Sequence, residues 1–251
     1  MNDKIKIWIK RGAVAFYAML WIGGVISYVL WGEPPENVTW TAPTFLWLAA
    51  LLVLMAVPKR EQGILVGCAL AGYLVEVSGV HTGFPFGGYA YTDVLYPLVF
   101  GTPIVMGAAW VILLAYTRHL IPKWPFDRFS AAALGALWMV AIDLVIDPLA
   151  AGPLAYWVWD HPHGYYGVPL SNFFGWWITA FLILLFYAAP TSKSVAVLRT
   201  GLSTVLFFTI LALVHQMWIP TFAGLSLVAV HLLTQRARVL QSPHRPEERP
   251  Q

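Results

Sequence analysis

The sequence predicts an all-α polytopic membrane protein with about eight transmembrane helices and both termini in the cytoplasm. Three observations predict it. Apolar residues make up 59% of the chain and charged residues 11%, against roughly 25% charged in soluble domains, and mean hydropathy is +0.68. The apolar residues gather into eight runs of bilayer-crossing length. All 15 Lys and Arg fall in connections that eight spans place on one side.

A crossing helix needs roughly 17–25 mostly apolar residues. The first candidate, 12–31, follows Lys4, Lys6, Lys10 and Arg11. It has no small-residue cleavage pattern, so it reads as a retained helix rather than a removed signal. The second, 42–57, is short enough to be tilted or partly interfacial. The third and fourth, 63–79 and 98–117, flank a loop dense in Gly, Pro and aromatic residues. The fifth, 129–147, runs into Pro148, which is expected to end the helix or turn Asp147 out of helical geometry. The sixth, 172–189, follows a second aromatic loop. The seventh and eighth, 198–214 and 217–234, are separated only by residues around His215 and Gln216, with Pro220 suited to a helix start. Residues 1–240 read as one integral membrane domain without repeats. The polar, Pro-rich 241–251 segment is expected to be a disordered tail.

The cations set the orientation. After the N-terminal four come Lys59 and Arg60, then Arg118, Lys123 and Arg128, then Lys193 and Arg199, then Arg236, Arg238, Arg245 and Arg249. The opposite connections hold Glu33, Glu36, Asp93 and Asp160 and no cation. Lys and Arg favour the cytoplasmic side, and seven spans would put the last arginines outside. An inner, cytoplasmic membrane is the expected location. The charge is split among short loops and forms no patch for nucleic acid. The lone Cys68 rules out an intramolecular disulfide. No Lys lies within a span, which excludes a retinal Schiff base, and no phosphate-binding, zinc-protease or serine-hydrolase motif is present.

Three carboxylates break the apolar pattern: Glu76 in the third span, and Asp143 and Asp147 in the fifth. A carboxylate within a membrane span marks a functional site by default. Asp143 and Asp147 share a helix face one turn apart if the fifth span stays helical. Both spans run outward, so all three carboxylates reach a similar depth near the non-cytoplasmic face. A neutral carboxylic acid in apolar surroundings is a proton donor. His81, His161 and His163 lie in the same loops, but their spacing is a weak metal pattern, and neither metal nor cofactor is expected. His119 and His231, near the cytoplasmic ends, read as structural.

Glu76, Gly79, the run Thr82-Gly83-Phe84-Pro85-Phe86-Gly87, and Tyr89 with Tyr91 resemble the first signature of the CruF-type carotenoid biosynthesis membrane proteins. Asp143, Asp147-Pro148, Trp157 with Trp159, Tyr165-Tyr166-Gly167-Val168-Pro169, Asn172, Gly175 and Trp176 resemble the second. The resemblance covers roughly 65–180. It implies cofactor-independent addition of water to the terminal 1,2 (or 1′,2′) double bond of an acyclic carotenoid end, on lycopene-, γ-carotene- or bacterioruberin-precursor-like substrates. Such a reaction needs a proton donor, aromatic faces for a tertiary cation and a placed water. Asp143 is assigned the acid and Glu76 the base or water-positioner, with Asp147 second for either. Tyr89, Tyr91, Trp157, Trp159, Tyr165, Trp176, Phe84 and Phe86 are the expected substrate-binding residues. Asn172 is expected to hold the water.

Two other classes compete. Asp143 and Asp147 imitate half of the Asp-rich pattern of UbiA-type intramembrane prenyltransferases, although the chain has no second Asp-rich motif and this face has no cation for diphosphate. A proton-coupled transporter or lipid-binding membrane protein would use the carboxylates as a relay, and a structural partner in a pigment complex would need no chemistry from them.

Overall fold

The computed structural model describes residues 3–121, 126–187 and 193–241. Lys123 and most of the expected tail, with Arg245 and Arg249, lie outside the described residues. Eight long helices are described: α1 (Asp3–Trp31), α2 (Thr41–Ala56), α3 (Lys59–Thr82), α4 (Val105–Leu120), α5 (Arg128–Ala151), α6 (Leu170–Phe186), α7 (Val195–Val214) and α8 (Trp218–Gln241). Four short strands interrupt the helical plan: β1 (Tyr89–Tyr91), β2 (Leu98–Val99), β3 (Thr102–Pro103) and β4 (Trp157–Trp159). Five helices are long and apolar enough to cross a membrane, and α2, α4 and α6 are shorter apolar helices. Much of the outer surface is apolar, including Met19, Ile22, Ile26, Leu70, Leu74, Leu137, Leu182 and Phe222. A soluble monomer rarely exposes so much, and the architecture is that of an all-α membrane protein.

Three expectations change. The first helix starts at Asp3, so Lys4 to Arg11 extend it rather than precede it; Lys and Arg are good helix formers whose stems can lie along apolar surface. The fourth helix starts at Val105, not 98. Residues 98–103 instead form a hairpin whose turn residues, Phe100 and Gly101, both have positive φ, the geometry of a tight two-residue turn. The fifth helix does not stop at Pro148 but continues to Ala151.

α4 is the central helix. Trp110, Leu114 and Ala115 are fully buried. Trp110 lies flat against Gly72 of α3, where a Cβ would come within 2.3 Å of the indole, and it stacks on Trp176 of α6 at 4.7 Å between centroids. Tyr116 sits over Gly201 of α7 and hydrogen-bonds His231 Nδ1 of α8 at 2.9 Å. Hydroxyls inside the apolar helices bond their own backbone: Thr204 to the Thr200 carbonyl at 3.0 Å and Thr209 to that of Val205 at 2.7 Å. Such bonds hide polar groups that lipid could not satisfy.

The basic turns meet at one end of the bundle. Arg118 Nε donates to the Tyr187 carbonyl at 2.5 Å and Nη2 to that of Leu184, closing the C-terminal end of α6. Glu61 Oε1 accepts from the Tyr187 hydroxyl at 2.5 Å and pairs with His119 Nε2 at 3.0 Å. His119 Nδ1 accepts from the Ser194 amide at 2.9 Å. Both His119 and His231 are thus spent on helix-to-helix bonds. Asp127 caps α5 by accepting from the Phe129 and Ser130 amides at 2.7 and 2.9 Å.

Candidate active site

The site is built at the other end, where the two aromatic loops meet. β1 and β4 pair antiparallel, with Tyr89 opposite Trp159, Ala90 opposite Val158 and Tyr91 opposite Trp157. Side chains alternate along a strand. The register therefore turns all four large aromatics inward, while Val158 is exposed on the other face. The backbone bonds continue beyond the strands, from the Asp160 amide to the Gly88 carbonyl at 2.9 Å and from the Thr92 amide to the Tyr156 carbonyl at 3.0 Å.

Beneath this ribbon lie the carboxylates, each at least 95% buried, with Glu76 at 3%, Asp143 at 5% and Asp147 at 2% exposure. Glu76 Oε2 accepts from the Tyr89 hydroxyl at 2.7 Å and from that of Tyr91 at 3.0 Å. Burial, and Glu76 next in importance, push both tyrosines above their usual ionisation range, so they remain donors. Asn172, at the start of α6, turns its amide nitrogen to both aspartates, 3.0 Å from Asp143 Oδ2 and 2.5 Å from Asp147 Oδ2. The expectation that this amide holds a water is thereby narrowed, because its NH2 is committed and only its carbonyl oxygen remains.

Pro148 explains the place of Tyr165. A proline has no N–H to give the carbonyl four residues earlier, which is that of Leu144. The Tyr165 hydroxyl donates to that carbonyl at 3.0 Å. The helix can therefore pass through Pro148, and Asp147 stays on the same face as Asp143.

Two cavities meet here. A small polar one is lined by Glu76, Asp147, Asn172, Tyr89, Tyr91 and Trp159 among others, and leaves about 20 Å³ to the centre of a water molecule. That is room for about one water. An apolar slot that leaves about 60 Å³ by the same measure runs among α2, α4, α5 and α7, and Asp143 stands in its wall. Met106, Trp157 and Trp176 line both. Among the described residues, no Lys or Arg lines either. Among the described residues, no group of three or more His, Cys, Asp and Glu is arranged to hold a metal ion.

Of the expected site residues, the fold brings together Glu76, Asp143, Asp147, Tyr89, Tyr91, Trp157, Trp159, Asn172, Trp176 and Phe86 around these two cavities. It does not bring Phe84, which is 73% exposed and lines a groove between α3 and α6 on the outer surface. Tyr165 lines neither cavity and serves the backbone instead. Met106 and Trp110 are additions. Sequence reading passed over Met106 because it placed the fourth span seven residues early, and over Trp110 because nothing local marks a Trp that faces Gly72.

A family model described as carotenoid biosynthesis protein matches residues 38–231. The bisanhydrobacterioruberin hydratase of Haloarcula japonica is 29% identical over 142 residues, covering 52% of this chain and 46% of that protein. The chain thus matches about half the length of that curated relative. No solved structure matches it.

Proposed function

The chain belongs to the carotenoid biosynthesis protein family, and from that premise we propose that it is a hydratase. It adds water across the terminal 1,2 double bond of an acyclic carotenoid end group, with all eight helices crossing the bilayer, both termini cytoplasmic and the site near the opposite face. The similarity to a hydratase supports the reaction type.

The observation that carries the reading is the shared wall between the apolar slot and the polar cavity. The slot suits a flat isoprenoid end, and the cavity suits one water. Asp143, in the slot wall, is the acid: its proton adds to C2, the π pair forms the new C–H bond, and C1 becomes a tertiary cation. Trp157 and Trp176 line both spaces, and aromatic rings stabilise a cation without capturing it. Water in the small cavity then bonds C1 through oxygen. Glu76 takes its proton, with Asp147 as the alternative base. Tyr89 and Tyr91 hold the Glu76 carboxylate in place, and Asn172 holds the two aspartates together.

The test is expression of the full chain in cells that make lycopene or γ-carotene, grown in H₂¹⁸O, with the pigments read by mass spectrometry. A gain of one labelled water that Asp143→Asn or Glu76→Gln reduces by about 10²-fold or more supports the reading. Unchanged pigments from a membrane-inserted, folded chain reject it. A prenylated product, or a proton flux without pigment change, identifies one of the other classes.

A further inference from the structure

Trp159 differs from the other aromatics over the carboxylates. It is 6% exposed, its ring packs on Tyr89 at 5.2 Å, and it lines the small polar cavity. Its Nε1 is buried and meets no hydrogen-bond acceptor. Buried N–H groups in native proteins are nearly always paired, with protein or with water. Trp110 Nε1 also meets no acceptor at full hydrogen-bond geometry, but it lies close to the Glu76 carboxylate, and its ring, between Gly72 and Trp176, does not line the cavity. The remaining polar groups of the cavity are largely engaged: the tyrosine bonds both fall on Glu76 Oε2, and the Asn172 NH2 is shared by the aspartates. Trp159 thus supplies a fully buried, unpaired donor at a space for one water, and carboxylates supply the acceptors. A held water needs two to four such partners.

We infer that Trp159, through Nε1–H rather than through its ring face, binds and orients the water that attacks the carotenoid cation, an inference that rests on the hydratase reading. An N–H directed at one lone pair of the water leaves the other for C1 and turns the water's protons toward Glu76 and Asp147. Protonation of C2 by Asp143 does not involve this bond. When water is not in place, the cation still forms. It then loses a proton to the Asp143 carboxylate, and the C–H pair rebuilds the 1,2 alkene when the proton leaves C2 or forms its terminal-methylene isomer when it leaves a methyl; no oxygen is gained.

This separates two readouts. Membranes carrying the full chain are incubated with lycopene in D₂O, and both hydrated product and deuterium in the recovered lycopene are measured. In Trp159→Phe, hydrated product is expected to fall by about 10²-fold, the size of effect seen when one preorganised donor is lost. Deuterium exchange into lycopene is expected to persist or rise. A merely structural role would lower both together. Where Trp159→Phe does not accumulate in the membrane, 3-benzothienylalanine at position 159, which replaces N–H by sulfur at nearly the same shape, takes its place. Hydration at the wild-type level in either variant overturns the inference, as does equal loss of hydration and exchange in a folded variant. If the wild type itself shows neither hydration nor exchange, the hydratase reading falls and this inference with it.

Discussion

If Tyr165 is what lets α5 pass through Pro148, its hydroxyl and the missing proline N–H are energetically coupled. The perturbation is Tyr165→Phe, which removes the donor 3.0 Å from the Leu144 carbonyl. A carbonyl left unpaired away from water costs about 1–3 kcal/mol. Interhelical hydrogen bonds in a membrane protein average about 0.6 and reach about 1.7 kcal/mol in double-mutant cycles. The two ranges overlap at about 1–1.7 kcal/mol, which is the destabilisation expected here. Pro148→Ala restores an N–H that can bond the same carbonyl within the helix. In that background Tyr165→Phe should cost less than about 0.5 kcal/mol, because the carbonyl is no longer orphaned. The assay is denaturation of the four variants in detergent micelles, followed by helical circular dichroism. Equal costs of Tyr165→Phe in both backgrounds refute the argument and reduce Tyr165 to an ordinary packing residue.

Other outcomes follow from the same geometry. Gly72→Ala drives a Cβ into the Trp110 ring at 2.3 Å and should cost about 1–3 kcal/mol, whereas Gly107→Ala in α4 meets nothing within 4 Å and should be neutral or stabilise by up to about 1 kcal/mol; thermal unfolding compares them. Arg118→Met removes the guanidinium from the Leu184 and Tyr187 carbonyls at the C-terminal end of α6 and should cost about 1.5–3 kcal/mol, leaving activity per folded molecule unchanged because the residue stands at the opposite end of the bundle. Tyr89 and Tyr91 ionise above their usual range in the folded chain. The unfolded chain releases the same protons near pH 10, so their contribution to stability is complete below about pH 10 and declines above it. Tyrosinate absorbance just above about pH 10 should then be lower in the folded protein than in the unfolded chain, and the difference should shrink in Tyr89→Phe and in Tyr91→Phe.

The helices are readable because eight apolar runs leave little choice of secondary structure, and their ends are less readable because side-chain chemistry sets them. Lys4 to Arg11 look like a flank and form helix; Pro148 looks like a stop and is bypassed through a hydroxyl 21 residues along the chain from the Leu144 carbonyl it satisfies. The site is readable at the level of its carboxylates and of the alternating pairs Tyr89 and Tyr91, Trp157 and Trp159, since alternation is the mark of a one-sided strand. Their pairing with one another is not, because no local feature announces a partner so distant in sequence. Phe84 shows the reverse error: it sits within a signature run, yet the turn that carries it points it to the outer surface.

The hydrogen bonds of the site have an order along the chain that bears on how it is made. Glu76 receives its donors from residues 89 and 91, in the connection that directly follows its own helix. Asp143, Asp147 and the Leu144 carbonyl receive theirs from residues 165 and 172, again just downstream. Each costly group is therefore provided for within its own hairpin, α3 with α4 or α5 with α6. A ribosome-fed chain entering lipid in sequence can shelter each carboxylate soon after it arrives, long before strands β1 and β4 find each other. The ribbon is then the last clasp to close, and what it closes over has already been hydrogen-bonded in halves.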